Sequence, residues 1–420
     1  MIALCHKTYS SSNIWPKLFG RGIVACRHAP RPPSLELTTN PICDHACVAT
    51  LGRPTAAAAL AALALALAAL ALALAAHHLR SSEMSSTAAM AARNALAPLS
   101  PGRTAVVVGG TSGIGRGAAL RLARSGYGVV IVGRDATRGG EVVRELNTKS
   151  QAGAKRPRHA FVPCDASLLA NAYACAPAVL AAAKEAAGSD ASPALDVLVL
   201  SQGIATLQGF TPTSEGFDQK LALHFLGRVA WVDALLPAML RSAPAAAAPA
   251  AAFPRVISVL SAGVHSPFAG FAADTMLEKS YSLKNAADAA GVYNDVAAFE
   301  LAARFPSCGF VHSAPGFVST RWGSEMPWLL RTMIRAIQPL GRSLRDSGEF
   351  TLAPAIAARV EGDELAGVAG AGRPGAALLG QNANLVTPTK VHDAARPVVW
   401  AKTLEVLEKV RPSGAESALR

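Results

Sequence analysis

The stretch Thr104-Ala105-Val106-Val107-Val108-Gly109-Gly110-Thr111-Ser112-Gly113-Ile114-Gly115 decides how this chain is read, because an apolar β-branched run breaks there into a glycine-rich turn that opens a helical pattern. Consecutive valines favour a strand buried on both faces, as in a parallel sheet. Glycines let the backbone turn sharply and approach a ligand closely, while the N–H groups at the start of the next helix point at an anion. The helical pattern from Arg116 to Ser125 carries Leu120, Leu122 and Ala123, stops at Gly126, and leads into Val129-Val130-Ile131-Val132. This is a βαβ unit of about 30 residues, the arrangement that cradles the pyrophosphate of a dinucleotide.

Beyond that unit, strands and helices keep alternating. Ala160–Asp165 and Leu195–Leu200 read as strands, with an Ala-rich helix between them running to about Ala187. A helix around Leu221–Leu240 and an Ala/Pro insertion at 243–253 precede the strand Arg255–Leu260, which ends at Ser261. The helix Ser282–Arg304, the strand Gly309–His312 and the turn Ala314-Pro315-Gly316 follow. This order predicts an α/β fold, a Rossmann-like doubly wound parallel sheet forming a single domain with an N-terminal extension. Ligands of such folds bind at the carboxyl ends of the strands.

The chain has 420 residues, 51% of them apolar, and a formal charge of +12. Its Lys and Arg are scattered rather than gathered into runs with interleaved aromatics, so no nucleic-acid partner is expected. Seven cysteines at irregular spacing do not make a disulfide framework. Cys26, His28, Cys43, His45 and Cys47 lack the paired short spacings of a zinc site, and no metal site is expected. Residues 1–54 are basic and hydroxyl-rich, like an organellar targeting leader for a chloroplast or mitochondrion. Residues 55–76 form an Ala/Leu tract, and Ala56–Ala76 has the length of a bilayer span but is largely alanine. Residues 77–103 read as a linker and 412–420 as a tail around the domain 104–411; a start at Met84 would give a cytoplasmic protein.

From Thr104 to about Thr320 the chain resembles the short-chain dehydrogenase/reductase family. The family's Thr-Gly-x-x-x-Gly-x-Gly fingerprint corresponds to Val108-Gly109-Gly110-Thr111-Ser112-Gly113-Ile114-Gly115, with only the leading Thr changed. The resemblance implies that Asp165 contacts the adenine ring, that Gly203 belongs to the motif after the fourth strand, and that Ser261 is the catalytic serine. It likewise places Thr320, after Pro315-Gly316, at the nicotinamide carboxamide. Cofactor-binding residues expected on this basis are Gly109, Thr111, Ser112, Gly113, Ile114, Gly115, Arg134, Asp165, Gly203 and Thr320.

An NAD-selective site has a carboxylate at the end of the second strand, where this chain has Gly133 followed by Arg134. A guanidinium there favours a 2′-phosphate, and Arg116 adds charge nearby, so NADP(H) is expected ahead of NAD(H). Asp135 is the competing feature, able to pair with Arg134 or to reach the ribose.

The family's proton donor is a Tyr whose pKa is lowered by a Lys one helical turn later. No tyrosine here has a lysine four residues on, and the expected pair falls near Ala287 and Gly291. The family's structural Asn is replaced by His224. The segment Tyr281–Asp295, with Phe310-Val311-His312 and Pro315–Thr320, looks like an atypical branch of the family that lacks the ordinary pair.

Three readings stay open. One is a reductase with relocated groups, in which Ser261 works with Tyr293, the better acid by its distance after Ser261, or with Tyr281, the nearer to Lys284; Lys284 lies two helical turns before Gly291 and so on the same face, and His224 is a relay. Another takes its proton from water or from the substrate. The third is a non-catalytic NADP(H)-binding pseudoenzyme acting as sensor or scaffold.

After Thr320, Trp322, Met326, Trp328, Leu329, Leu330, Met333, Ile334, Ile337 and Leu340 alternate with arginines. In relatives this segment is the substrate lid, so a lipophilic carbonyl or alcohol substrate is expected. A membrane surface is the other use of such a segment, as is a span at Ala56–Ala76. Homo-oligomerisation stays open.

Overall fold

A computed structural model describes residues 87–419 apart from 98, 101, 151–157, 189–193, 243–252, 322, 324, 358–364, 366–367 and 372. The expected leader, the Ala/Leu tract and the Cys/His cluster near the N-terminus therefore lie outside the described residues. Seven parallel strands form one sheet in the order β3-β2-β1-β4-β5-β6-β7. They are β1 Thr104–Val108, β2 Gly128–Gly133, β3 His159–Pro163, β4 Val197–Leu200, β5 Arg255–Val259, β6 Gly309–Ser313 and β7 Gly375–Leu379. The order reverses direction at β1 and β4, and that switch point opens the crevice in which open α/β sheets bind ligands.

Helices cover both faces of the sheet. Residues 87–95 form α1, within the segment expected to be a linker. It docks, since the Asn94 amide donates to both the backbone carbonyl and the carboxylate of Glu349. Next come α2 Gly113–Arg124, α3 Ala136–Lys149, α4 Ala170–Ala187, α5 Gln219–Leu221 and α6 Gly227–Ser242. The remainder are α7 Leu283–Arg304, α8 Trp328–Ile337, α9 Leu344–Thr351, α10 Ala353–Ala357 and α11 Lys390–Val410. Side chains of α2, α3 and α10 pack with Val107, Val129 and Ile131 on one face of the sheet. Those of α4, α6, α7 and α11 pack with Val106, Val130 and Leu198 on the other.

Burial on both faces explains why β1 and β2 read as continuous apolar runs rather than alternating ones: all five residues of β1 are buried, and five of the six in β2. A turn of π-helix, Ala222–Leu226, separates α5 from α6. Such widened turns free a backbone carbonyl from the helical ladder. Here the carbonyl of His224 accepts from the Asn294 amide of α7 at 2.8 Å.

The C-terminal tail is held by one buried carboxylate. Asp233 of α6 accepts from Tyr173 Oη at 2.8 Å, Arg411 Nη2 at 2.9 Å, Ser417 Oγ at 3.0 Å and the Ala418 amide at 2.8 Å. Replacing it orphans all these donors and leaves a buried guanidinium without its counter-charge. Asp233→Ala is expected to lose about 3–5 kcal/mol of stability, read as a lower urea midpoint, with Asp233→Asn losing less.

Candidate active site

Local geometry makes the glycine cradle obligatory. Gly109 has φ +82°, and a Cβ on it would lie 2.8 Å from the Gln202 backbone nitrogen. A Cβ on Gly115 would meet Ser201 Oγ at 2.3 Å and the Gly109 carbonyl oxygen at 2.4 Å. Gly113 has φ +54°, and a Cβ there would stand 3.6 Å from Thr320 Cγ2, so the expected carboxamide-binding threonine does come to the cradle. Ser112 is the extended N-cap of α2, its side chain makes no capping bond, and the first turn carries no acid. The start of α2 thus keeps its positive end uncompensated by protein. Together with Ile114, half-buried against the core of α2 and β1, this is a fit for a pyrophosphate.

At the end of β2, a Cβ on Gly133 would lie 2.7 Å from Thr111 Cγ2, so no acidic side chain fits there. Arg134 is exposed and has no carboxylate partner among the described residues. The competitor is engaged elsewhere, because Asp135 caps α3 by accepting from the Arg138 amide and pairs with that guanidinium at 3.1 Å. Arg116 differs from expectation: it is bound to Glu145 at 2.7 Å, which offsets its charge. Asp165 stands after β3 and accepts from the Ser167 amide at 3.0 Å.

At the ends of β4 and β5, Gln202 and Ser261 carry buried side-chain polar atoms with no partner among the described residues. Such atoms are costly unless a ligand or solvent meets them. Gly203 packs against His224, whose Nε2 accepts from the Ile204 amide at 3.0 Å. Burial, then the charges of Arg228 and Lys220, pulls His224 down to about 3, so it is neutral and is no proton relay near neutral pH. Arg228 donates to the carbonyls of Gln202 at 2.8 Å and Val259 at 2.9 Å, bracing both strand ends.

The groups expected as acid partners are placed elsewhere. Tyr293 is fully buried, its ring against Phe225 and Phe268 and its hydroxyl donated to the Thr275 carbonyl at 2.9 Å. Burial, then Asp274, raises its pKa well above the ordinary phenol value, the wrong direction for a donor. The Lys284 ammonium is exposed to solvent and bound to the buried carboxylate of Asp288 at 2.6 Å. Both assignments fail for one reason: α7 turns Tyr293 into the core and Lys284 toward solvent. Ala287 is exposed, and Gly291 is buried.

What occupies the wall beside Gly291 is histidine. A Cβ on Gly291 would lie 2.4 Å from Cγ of His265. His265 Nε2 lies 2.8 Å from Asp295 Oδ2, and His392 Nε2 of α11 lies 2.9 Å from the same oxygen. The other oxygen of Asp295 bonds Nδ1 of His312, whose Nε2 accepts from the Ser261 amide at 3.0 Å. This cluster is not apparent in the sequence because its members come from four separate elements. The available signals were Asp295 one helical turn after Gly291, hence on the same face, and a histidine four residues after Ser261.

A family model described as short chain dehydrogenase matches residues 103–273. An oxidoreductase of Emericella nidulans, AN1596, is 30% identical over 274 residues, covering 63% of this chain and 75% of the relative. The polyprenol dehydrogenase of Mus musculus is 31% identical over 290 residues, 65% of this chain and 76% of that one. The chain belongs to the short-chain dehydrogenase/reductase family of oxidoreductases. A solved complex of Pseudomonas aeruginosa RhlG with NADP aligns at a TM-score of 0.44 and 22% identity, over 63% of this chain and 93% of that one.

The neutral state of His224 gives a pH dependence whose sign is fixed. Its folded pKa of about 3 lies below the unfolded value of about 6.5, so the unfolded chain binds the extra proton between them and stability falls as pH drops through that window. The loss is about 2 kcal/mol at pH 5. Urea midpoints measured from pH 7 to 4 should fall less steeply in His224→Asn than in the unsubstituted protein.

Proposed function

We propose that this short-chain oxidoreductase uses NADP(H) to interconvert a lipophilic carbonyl compound and its alcohol. The observation that carries the cofactor choice is the exposed Arg134, without a carboxylate partner among the described residues, beside a β2 terminus with no room for a carboxylate. A guanidinium there binds a 2′-phosphate through charge-assisted hydrogen bonds. Gly109, Gly113 and Gly115 would hold the pyrophosphate, with Asp165 toward the adenine and Thr320 toward the nicotinamide end. When bound, the cofactor supplies or accepts hydride. Ser261, its Oγ without a partner among the described residues, hydrogen-bonds the substrate oxygen.

The lipophilic substrate class rests on the segment after Thr320. In α8, Trp328 is 71%, Leu329 56% and Met333 49% exposed, a continuous apolar face on a helix whose other residues include Arg331 and Arg335. Exposed apolar patches of this kind mark binding surfaces. A relative named for a polyprenol as its substrate points the same way. The competing reading, an NADP(H)-binding protein without turnover, is favoured by Ala287 and Gly291 standing where the family has Tyr and Lys.

The full chain, titrated with NADPH and NADH by quenching of its fluorescence, should prefer NADPH. Arg134→Ala is expected to weaken NADPH binding about tenfold, roughly one charge-assisted hydrogen bond, and to leave NADH binding unchanged. Equal loss for both cofactors would remove the 2′-phosphate assignment. On aldehydes and ketones of graded chain length, turnover should rise with length, and Leu329→Asp should erase that rise. Tight NADPH binding with no turnover on any carbonyl would favour the competing reading.

A further inference from the structure

The hydrogen-bond directions around Asp295 assign a proton to each histidine that touches it. His312 accepts the Ser261 N–H at Nε2, so its proton is on Nδ1 and is donated to Asp295. His392 accepts the Thr389 N–H at Nδ1 at 2.9 Å, so its proton is on Nε2 and is also donated to Asp295. Both rings are satisfied as neutral tautomers. His265 has no such lock: Nε2 faces Asp295 Oδ2 at 2.8 Å and Nδ1 faces the Ser266 carbonyl oxygen at 3.3 Å. Two acceptors ask for two donors, which only the imidazolium supplies.

Charge balance leads to the same assignment. Asp295 is 1% exposed and cannot stay ionised there without a counter-charge, and two of its three histidines are locked neutral. Oδ1, Oδ2 and three N–H donors make a closed neutral unit when His265 carries +1. The same bonds argue against a metal ion among His265, Asp295 and His392, although their ligand atoms lie within 4.8 Å of one another. A metal on Nε2 of His392 would require the proton on Nδ1, where the Thr389 N–H already points.

We propose that His265, charged and held by Asp295, is the proton donor of the active site and replaces the tyrosine and lysine that Ala287 and Gly291 lack. This rests on the reductase reading above. Its backbone amide donates to the Ser261 carbonyl at 3.2 Å, so acid and serine belong to one turn after β5. Nε2 is committed to Asp295, whereas Nδ1 has only the long contact to Ser266, which leaves its proton to give. In the reducing direction the carbonyl carbon gains hydride from reduced nicotinamide and the carbonyl oxygen gains the Nδ1 proton. The alcohol leaves, the cofactor is oxidised, and neutral His265 regains its proton from water.

Other groups around His265 set its titration. On α7, Asp295 bonds it and Asp288 adds negative charge, itself tied to Lys284 and to the Ser266 amide. From β6, His312 stacks on it at 6.3 Å between ring centroids, and from α11 His392 meets it edge-on at 6.1 Å. Burial opposes its charge, but the Asp295 bond and charge outweigh burial and raise the pKa above 6.5.

The test uses the full chain with two readouts. Histidine-labelled protein, followed by NMR without cofactor, should show one imidazole titrating above 6.5 that disappears in His265→Asn and moves down in Asp295→Asn. No imidazole titrating that high would overturn the proposal whatever the activity. For the protein with NADPH and a long-chain aldehyde, kcat should fall as pH rises through the His265 value. His265→Asn should bind NADPH within about twofold of the unsubstituted protein while kcat drops about 10²–10³-fold and the alkaline limb is lost. If His265→Asn keeps both its rate and the limb, the donor is another group and the reductase reading stands. If the unsubstituted protein binds NADPH but reduces no carbonyl, the reductase reading falls and takes the donor role with it.

Discussion

The ionised carboxylate of Asp295 is the point through which the catalytic half of this molecule is held together. It sits in α7 yet fixes His312 in β6, His392 at the start of α11 and His265 in the loop after β5. Through His312 it also fixes the Ser261 backbone amide. A carboxylate buried to this degree carries a desolvation cost of several kcal/mol, and three hydrogen bonds with one balancing charge are what make it tolerable. The histidines hold its pKa far below the ordinary carboxylate range although burial pulls the other way. Polar networks inside a low-dielectric core specify geometry strongly because any vacancy in them is expensive. The backbone of Ser261 is therefore tied to the same buried charge network.

A second buried charge braces the neighbouring strand end. Arg228 donates to three backbone carbonyls, those of Leu223, Val259 and Gln202, and to Ser258 Oγ, and burial lowers its pKa to about 9, which leaves it charged at neutral pH. Ser258 in turn donates to Asn294 Oδ1, and the Asn294 side-chain Nδ2 donates to the carbonyl of His224 on the π-helical turn. The two networks meet on α7, where Asn294 and Asp295 are adjacent. That explains why the buried side of a helix in the middle of the protein is so polar, with Asp288, Asn294 and Asp295 among its alanines.

Much of the fold was legible because sheet-forming runs and their turns are local signals. Val106 to Val108, Val129 to Val132 and Leu198 to Leu200 announce strands by themselves, and the register that pairs Val106 with both Val130 and Leu198 follows from parallel order. The cofactor cradle was legible for the same reason, since its glycines act within one turn. The acid group was not. Tyr293 was favoured by its distance after Ser261 and Lys284 by its spacing from Gly291, but which face of a largely alanine helix turns inward is decided by its neighbours. His265, His312, His392 and Asp295 lie up to 127 positions apart, and only the assembled sheet brings them together. Arg116 shows the same limit, because its partner Glu145 is on another helix.

The close fit of the His265 ring over Gly291 has an evolutionary consequence. A side chain of any size at position 291 would strike the imidazole near its root, where it has no freedom to swing aside. Position 291 can regain a lysine only after position 265 has given up its ring, and losing that ring first strips Asp295 of its counter-charge. The two positions are locked in sequence space, so a lineage carrying this arrangement has no single-step route back to the ordinary pair of its family.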